Sequence, residues 1–388
     1  MDAIINGKII MGNTLETDKV IIFEDKIIDI IPKSEIFKYP IHNLIDAKEY
    51  YVSPGFIDIH THGAMGHDIM DSNCEGIKVM SESFVAYGVT GFLATTMTMD
   101  WDRIEGALST IEKAMAETKG SKVLGCHLEG PFISPQNAGA QNSNFIQNPD
   151  FRLIENYKEL IKVVTIAPEL ENAECFIKEC VDSHIIISIG HSCGTYEDTI
   201  NAIRNGARSI THTFNAMTPL NHREPGIVGG AMCSNEVYCE LIADNIHVHP
   251  AVQRILLQSK GIDKVILVTD SMRACGMGNG CYELGGQSVV VENNSARLEN
   301  GTLAGSILTI DSALRNFKMN TGISIMEAVR TVTENPAKLL GMEDTIGSIG
   351  VGKYSDFVIL DDNFSILYTF VNGNLHYTAK DINKINLG

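Results

Sequence analysis

Phe56-Ile57-Asp58-Ile59-His60-Thr61-His62 is an apolar, strand-like run that ends in two histidines at i and i+2. Side chains two apart on a β-strand point to the same side. His60 and His62 can therefore both face one metal ion at the strand's end. Ser53-Pro54-Gly55 just ahead is a turn signal, so the strand starts abruptly. Taken alone, the run reads equally well as a buried strand with two polar residues at its tip. The rest of the chain decides, because further candidate metal and catalytic residues sit at the ends of other strand-like runs.

Eight such runs can be counted, at 56–60, 91–96, 122–128, 163–167, 185–190, 208–212, 238–243 and 264–269. Helix-like segments lie between many of them. Trp101 to Lys119 carries Ile104, Leu108, Ile111 and Met115 at helical spacing. Thr195 to Asn205 opens on a capping threonine and stops before Gly206, and Pro250 to Ser259 opens on a proline favoured in the first turn. Eight β-then-α units predict an α/β fold, a (β/α)8 TIM-like barrel, whose strand C-termini build the active site.

The two ends of the chain read differently. Ala3-Ile4-Ile5 and Lys8-Ile9-Ile10-Met11 flank Asn6-Gly7, a hairpin signal, and Val20–Phe23 and Lys26–Ile31 flank Glu24-Asp25. Near the far end, Asp356–Leu360 and Ile366–Val371 precede Asn372-Gly373 and Leu375-His376-Tyr377. Neither end has enough strands for a stable sheet of its own. The expectation is a small β-sandwich domain formed from both termini, 1–52 plus 345–388, with the barrel over 53–344.

Composition sets the frame. A chain of 388 residues can hold one large domain and a small one, and a hydrophobic share of 44% is ordinary for a globular protein. The longest apolar runs are strand-length, and the first residues lack the form of a signal peptide, so no membrane partner is expected. A net charge of −18 argues against nucleic acid. It leaves room for an anionic small substrate, since a few local cations and backbone amides suffice. Nine cysteines, an odd count with no Cys-x-x-Cys, read as reduced and mostly buried thiols of a cytoplasmic protein.

The strand ends carry the chemistry. His60 and His62 close the first run, His127-Leu128-Glu129 the third, Gly190-His191 the fifth and Thr211-His212 the sixth. Asp244-Asn245-Ile246-His247 follows the seventh, and Thr269-Asp270 ends the eighth. In a barrel these converge on one face, and imidazoles with carboxylates suit zinc, iron or manganese. Singly, each has a plainer reading: Glu129 as a carboxylate holding a loop, His191 and His212 as core histidines satisfied by backbone, Asp270 as a helix cap. Their joint placement is hard to explain without a site. His127 reads as structural or as a support for the site, and His67 and His249 are left unassigned.

These residues resemble the amidohydrolase superfamily and, within it, the N-acetylglucosamine-6-phosphate deacetylase family. The likeness runs through Pro54–Gly63, His127-Leu128-Glu129-Gly130-Pro131-Phe132, Gly190-His191-Ser192, His212-Thr213-Phe214-Asn215-Ala216-Met217, Arg223-Glu224-Pro225-Gly226, Asp244–Val248 and Val268-Thr269-Asp270. The resemblance implies a divalent metal, zinc, iron or manganese, at one or two ions per subunit. Glu129, His191 and His212 would hold the first ion. His60 and His62 would hold the second, with Glu129 bridging. Other amidohydrolases bridge through a modified lysine at the end of strand four, where this chain has Ala167-Pro168-Glu169. Asp270 would be the general base and acid for cleaving an acetamide.

The implied substrate is a phosphorylated N-acetyl amino sugar, the galactosamine epimer being the alternative. Asn215 and Ala216 amides and Arg223 would bind its phosphate, and His247 its hydroxyls. Ala140, Leu303, Ala304 and Gly305 would complete the sugar pocket. Gln141 takes the place of a histidine that in some members polarises the scissile carbonyl. In the family the arginine can reach into a neighbouring subunit, which implies a homodimer.

Overall fold

The computed structural model describes residues 1–380; the end of the expected C-terminal segment, 381–388, lies outside them. Eight strands form one sheet: β1 (Phe56–Thr61), β2 (Val89–Thr95), β3 (Lys122–Glu129), β4 (Ile161–Ile166), β5 (Ile186–Ile189), β6 (Ser209–Ile210), β7 (Tyr238–Ile242) and β8 (Val265–Val268). Each pairs in parallel with the next in chain order. The ring closes between β8 and β1. Thr61 bridges Ser271 in parallel, and the Asp270 N–H donates to the His60 carbonyl at 2.8 Å. Runs such as Val265-Ile266-Leu267-Val268 are buried throughout, as strands sandwiched between a barrel interior and a helix layer must be. The eight strands fall where the apolar runs do. β6 is the shortest, but the Thr211 N–H to Ile189 O and Thr213 N–H to Glu240 O bonds carry its ladder on towards the site.

The helices start where their caps say. Asp100 accepts from the Arg103 N–H ahead of the helix Trp101–Glu117, and Thr195 and Asp198 form a capping box on Tyr196–Arg204. Met115 departs from expectation at 41% exposed. The buried stripe is Ile104, Ala107, Leu108, Ile111 and Ala114, so at 3.6 residues per turn the inward position falls on Ala114. Among the described residues, no helix is long and apolar enough to cross a membrane.

Both termini build a β-sandwich. One sheet has the order Ile27–Pro32, Lys19–Phe23, Asp2–Ile5, Asn43–Asp46. The other runs Asn374–Thr378, Ile366–Val371, Phe357–Leu360, Tyr51–Pro54, Lys8–Met11, Thr14–Glu16. Their inner faces meet through Ile4, Ile9, Ile21, Phe23, Phe357 and Phe370, with the Phe23 and Phe357 rings edge to face at 5.3 Å. The turns at Glu24-Asp25 and Asn372-Gly373 do join antiparallel partners.

Asn6-Gly7 does not make a hairpin. Asp2–Ile5 pairs with Lys19–Phe23 and Asn43–Asp46 in one sheet, while Lys8–Met11 pairs with Thr14–Glu16 and Tyr51–Pro54 in the other. The dipeptide is a corner between layers. Asn6 has φ +53°, and a Cβ on Gly7 would lie 2.5 Å from Val52 Cγ2. Glycine is needed there for the crossing rather than for a tight reversal.

A second departure is a three-stranded antiparallel sheet, Gly280–Leu284, Gln287–Glu292 and Ser295–Leu298, inserted after β8. Its middle strand alternates, with Val289 and Val291 buried and Val290 exposed. Gln287 Nε2 donates to the Ala140 carbonyl at 2.6 Å, tying this sheet to the loop that follows β3.

Candidate metal centre and active site

The mouth of the barrel gathers four imidazoles and two carboxylates. Strand alternation aims His60 and His62 the same way from β1, and His127 and Glu129 the same way from β3. His191, His212 and Asp270 sit just past β5, β6 and β8, at φ +47°, +28° and +48°. Non-glycine residues in the left-handed region are uncommon and costly. Here they occur at three strand ends of the same rim, where the side chains enter the cavity lining.

Hydrogen bonds at the back of the rings decide what faces the centre. His62 Nδ1 meets the Thr95 carbonyl at 3.2 Å, and His191 Nδ1 meets the Asn137 carbonyl at 2.9 Å. Carbonyls only accept, so these Nδ1 atoms carry the proton and each Nε2 keeps a lone pair. Glu129 Oε1 lies 3.2 Å from His191 Nε2, 3.0 Å from His212 Nε2 and 3.4 Å from His60 Nε2. Its Oε2 lies 3.2 Å from His62 Nε2. Glu129 thus belongs to two of the three groups able to hold a cation among the described residues, Glu129–His191–His212 and His60–His62–Glu129.

These donors fit a divalent ion. His191 Nε2 and His212 Nε2 are 3.0 Å apart. Ligands about 2.0–2.1 Å from a tetrahedral zinc stand roughly 3.3 Å from one another, close to the spacings found. His60 Nε2 is buried with no hydrogen-bond partner, yet is aimed at Glu129 and Asp270.

Asp270 Oδ1 lies 3.2 Å from His62 Nε2 and 3.5 Å from His60 Nε2. Burial pushes its pKa upward, but the histidines that face it, His60 foremost, outweigh that and lower it. Burial likewise opposes ionisation of Glu129, and the surrounding histidines, His60 foremost, keep it well below the usual carboxylate range. Both are carboxylates at neutral pH. His127 is fully buried, its Nδ1 at 3.2 Å from the Ile59 carbonyl and its Nε2 at 2.8 Å from Thr165 Oγ1. Desolvation holds it well below the usual imidazole value, so it is a neutral prop beneath the site. His249 caps the helix Pro250–Lys260, accepting from the Ala251 N–H.

Above these groups opens a cavity of ≈ 570 Å³. His62, Glu129, His191, His212 and Asp270 line it, as do Ala140, Gln141, Asn215, Ala216, His247, Leu303 and Gly305. His60 lies beneath and does not reach it, and Ala304 is fully buried behind its neighbours. Gln141 is already engaged: its Nε2 donates to Glu129 Oε2 at 2.7 Å, and its Oε1 accepts from the Thr98 N–H at 2.6 Å. The Asn215 backbone N–H is spent on the His212 carbonyl at 3.0 Å. His247 Nδ1 is held by Asp244 Oδ2 at 2.6 Å.

Arg223 is not brought to this cavity. It sits on the exposed loop 219–224 and lines a separate hollow with Cys193, Thr195 and Pro219. Among the described residues, the cation that does line the cavity is Arg297, on the three-stranded insertion. All nine cysteines are free, but only Cys126, Cys180, Cys239 and Cys275 are buried, so the thiols are less enclosed than expected.

Three residues escaped the sequence reading. Glu169 accepts from the Ser192 hydroxyl and the Cys193 N–H, both at 2.6 Å, and steadies the turn that carries His191. Glu240, fully buried in β7, meets His60 Nδ1 at 2.9 Å. A charged residue inside the apolar run Tyr238–Ile242 was a usable signal for it. Arg297, in an exposed turn-rich stretch, offered none.

A closed parallel barrel with imidazoles and carboxylates converging on its C-terminal rim is the architecture of a metal-dependent hydrolase. Residues 51–376 match the Amidohydrolase family. The chain belongs to that family, in the branch of the N-acetylglucosamine-6-phosphate deacetylases. The N-acetylglucosamine-6-phosphate deacetylase of Bacillus subtilis (strain 168) is 41% identical over 340 residues, 86% of each chain. The N-acetylgalactosamine-6-phosphate deacetylase of Escherichia coli O157:H7 is 35% identical, covering 83% of this chain and 86% of that one. A Mycobacterium smegmatis N-acetyl-D-glucosamine-6-phosphate deacetylase, solved in complex with N-acetyl-D-glucosamine-6-phosphate, superposes with a TM-score of 0.90 at 27% identity, covering 97% and 99% of the two chains.

Proposed function

We propose that this chain hydrolyses the acetamide of N-acetyl-D-glucosamine 6-phosphate, releasing acetate and glucosamine 6-phosphate in amino-sugar catabolism and recycling. The observation that carries the reading is Asp270: an ionised carboxylate on the cavity floor, 3.2 Å from His62 Nε2 and beside the shared Glu129. Glu129, His191 and His212 would hold one divalent ion and His60, His62 and Glu129 a second. Such an ion supplies water acidified towards neutrality and a Lewis acid for the carbonyl oxygen. The chain's own groups do the rest. Asp270 Oδ1 takes a proton as the water oxygen bonds to the carbonyl carbon. It returns that proton to the sugar nitrogen as the C–N bond breaks. Gln141, bonded to Glu129 and to the Thr98 amide, fixes the carboxylate and leaves little freedom for polarising the carbonyl itself.

His247, Ala140, Leu303 and Gly305 are assigned to the sugar, with Ala304 behind them. The phosphate reading rests on the Ala216 N–H, since that of Asn215 has an internal acceptor, and on an arginine. Arg223 lies outside its own cavity, which supports a homodimer in which it enters the partner's site. Nine free thiols support a cytoplasmic setting.

Arg223→Ala is expected to raise KM for the sugar phosphate with little change in kcat. Phosphate is remote from the acetamide, so its contacts hold ground and transition states alike. Loss of one charge-assisted hydrogen bond is worth about 1.5–3 kcal/mol, or one to two decades in kcat/KM. Mixing Arg223→Ala with Asp270→Asn subunits then regenerates activity in sites that draw both intact residues from different chains. If Arg297→Ala takes the KM loss instead, the phosphate is held within one chain. The epimer is tested by comparing kcat/KM on N-acetylglucosamine 6-phosphate and N-acetylgalactosamine 6-phosphate. Faster turnover of the second would reassign the substrate, and turnover of neither would end the proposal.

His60→Asn is expected to remove at most the second ion and leave the Glu129–His191–His212 ion bound. Elemental analysis of the purified variant checks this.

A further inference from the structure

We propose that Glu240 is a positioning residue that holds His60 in the one tautomer able to take a metal ion, and so governs occupancy of the His60–His62–Glu129 subsite. The inference rests on the two-ion reading above. Glu240 is fully buried in β7, flanked in sequence by Cys239 and Leu241, which are fully buried too. A carboxyl group in such a place needs hydrogen-bond partners. Its Oε2 receives two groups: His60 Nδ1 at 2.9 Å and the His212 N–H at 3.1 Å. One carboxylate oxygen thereby touches one candidate ligand from each ion's set.

The consequence is chemical. A carboxylate only accepts, so His60 Nδ1 carries the proton and Nε2 presents its lone pair to the centre. In the other tautomer an Nε2 proton would point at Glu129 Oε1, 3.4 Å away, and Asp270 Oδ1, 3.5 Å away. It would donate to the carboxylates that the ion needs and occupy the ion's place. His62 and His191 are held by neutral carbonyls; His60 alone among these three is backed by an acid, which also makes its imidazole a stronger donor.

A rival arrangement uses His60, His127 and Glu240 directly as a cation site, and the unpartnered Glu240 Oε1 speaks for it. His127 speaks against it. Its Nδ1 donates to the Ile59 carbonyl and its Nε2 accepts from the Thr165 hydroxyl, so neither nitrogen is free for an ion.

The test uses purified holoenzyme dialysed against a graded chelator series, with ion content read by elemental analysis. Glu240→Leu is expected to weaken the second ion about 10–100-fold, the usual cost of losing such a support, while the Glu129–His191–His212 ion stays at wild-type affinity. Glu240→Gln keeps an acceptor for His60 Nδ1 and is expected to fall between wild type and Glu240→Leu. If the leucine variant does not fold, a second-ion affinity in Glu240→Gln equal to wild type overturns the proposal. Complete and equal loss in both variants also overturns it, in favour of direct ligation. A merely structural role would weaken both ions together. A wild type whose ion count is untouched by His60→Asn removes the second subsite and this proposal with it. A two-ion wild type inactive on both epimeric sugar phosphates sinks the proposed function and leaves this inference standing.

Discussion

Asp270→Asn is expected to keep the barrel and its ions while turnover of N-acetylglucosamine 6-phosphate falls by several orders of magnitude. Removing one general acid or base typically costs about 10²–10⁴ in rate, and Asp270 is assigned both roles. Asparagine matches the carboxylate in size and can still meet His62 Nε2, 3.2 Å from the present Oδ1. It cannot take a proton at neutral pH. The histidines facing Asp270, His60 foremost, lower its pKa and keep it a carboxylate, the form a base requires. Measured kcat, with circular dichroism and ion content as controls, checks the assignment. Near wild-type turnover in a folded, metal-loaded variant would sink it.

Glu129→Gln or His191→Asn is expected to strip the purified protein of its main ion. Glu129 lies within 3.4 Å of all four imidazole Nε2 atoms, through Oε1 to His191, His212 and His60 and through Oε2 to His62. Glutamine removes the charge and turns one oxygen into a donor that faces lone pairs. Loss from both subsites is expected for Glu129→Gln, but mainly from the first for His191→Asn. Elemental analysis showing unchanged content in either variant would refute the ligand set.

Much of this was legible in the chain. Barrel strands are buried on both faces, so each shows as a continuous apolar run, and the eight runs fall on β1 to β8. A polar residue at the end of such a run stands out, which is why His60, His62, Glu129, His191, His212 and Asp270 could be picked before any contact was known. Helix starts were legible because caps are local: Asp100 and Thr195 bond to residues three positions on.

What depended on pairing was not legible. Asn6-Gly7 carries the dipeptide signal of a hairpin, yet the strands on either side join different sheets. Turn propensity describes the local backbone, whereas partners are chosen by which faces can be buried together. The places of Arg223 and Arg297 were hidden for a similar reason. A motif-like stretch marked the first, while only the folding of the three-stranded insertion over β8's exit brought the second to the cavity.

The sequence by itself determined the strand-and-helix succession, the sandwich-forming ends and the histidines and carboxylates whose grouping is able to hold a metal ion. Period-two alternation, apolar runs and caps are all written within a few residues of one another. Only the tertiary structure decided that Glu240 of β7 backs His60 of β1, that Gln141 is spent on Glu129, and that Arg223 faces away from its own cavity. Those are relations between residues 12 to 180 positions apart. In a closed barrel, side chains from alternate strands share one interior layer, and which layer each side chain enters is fixed when the ring closes.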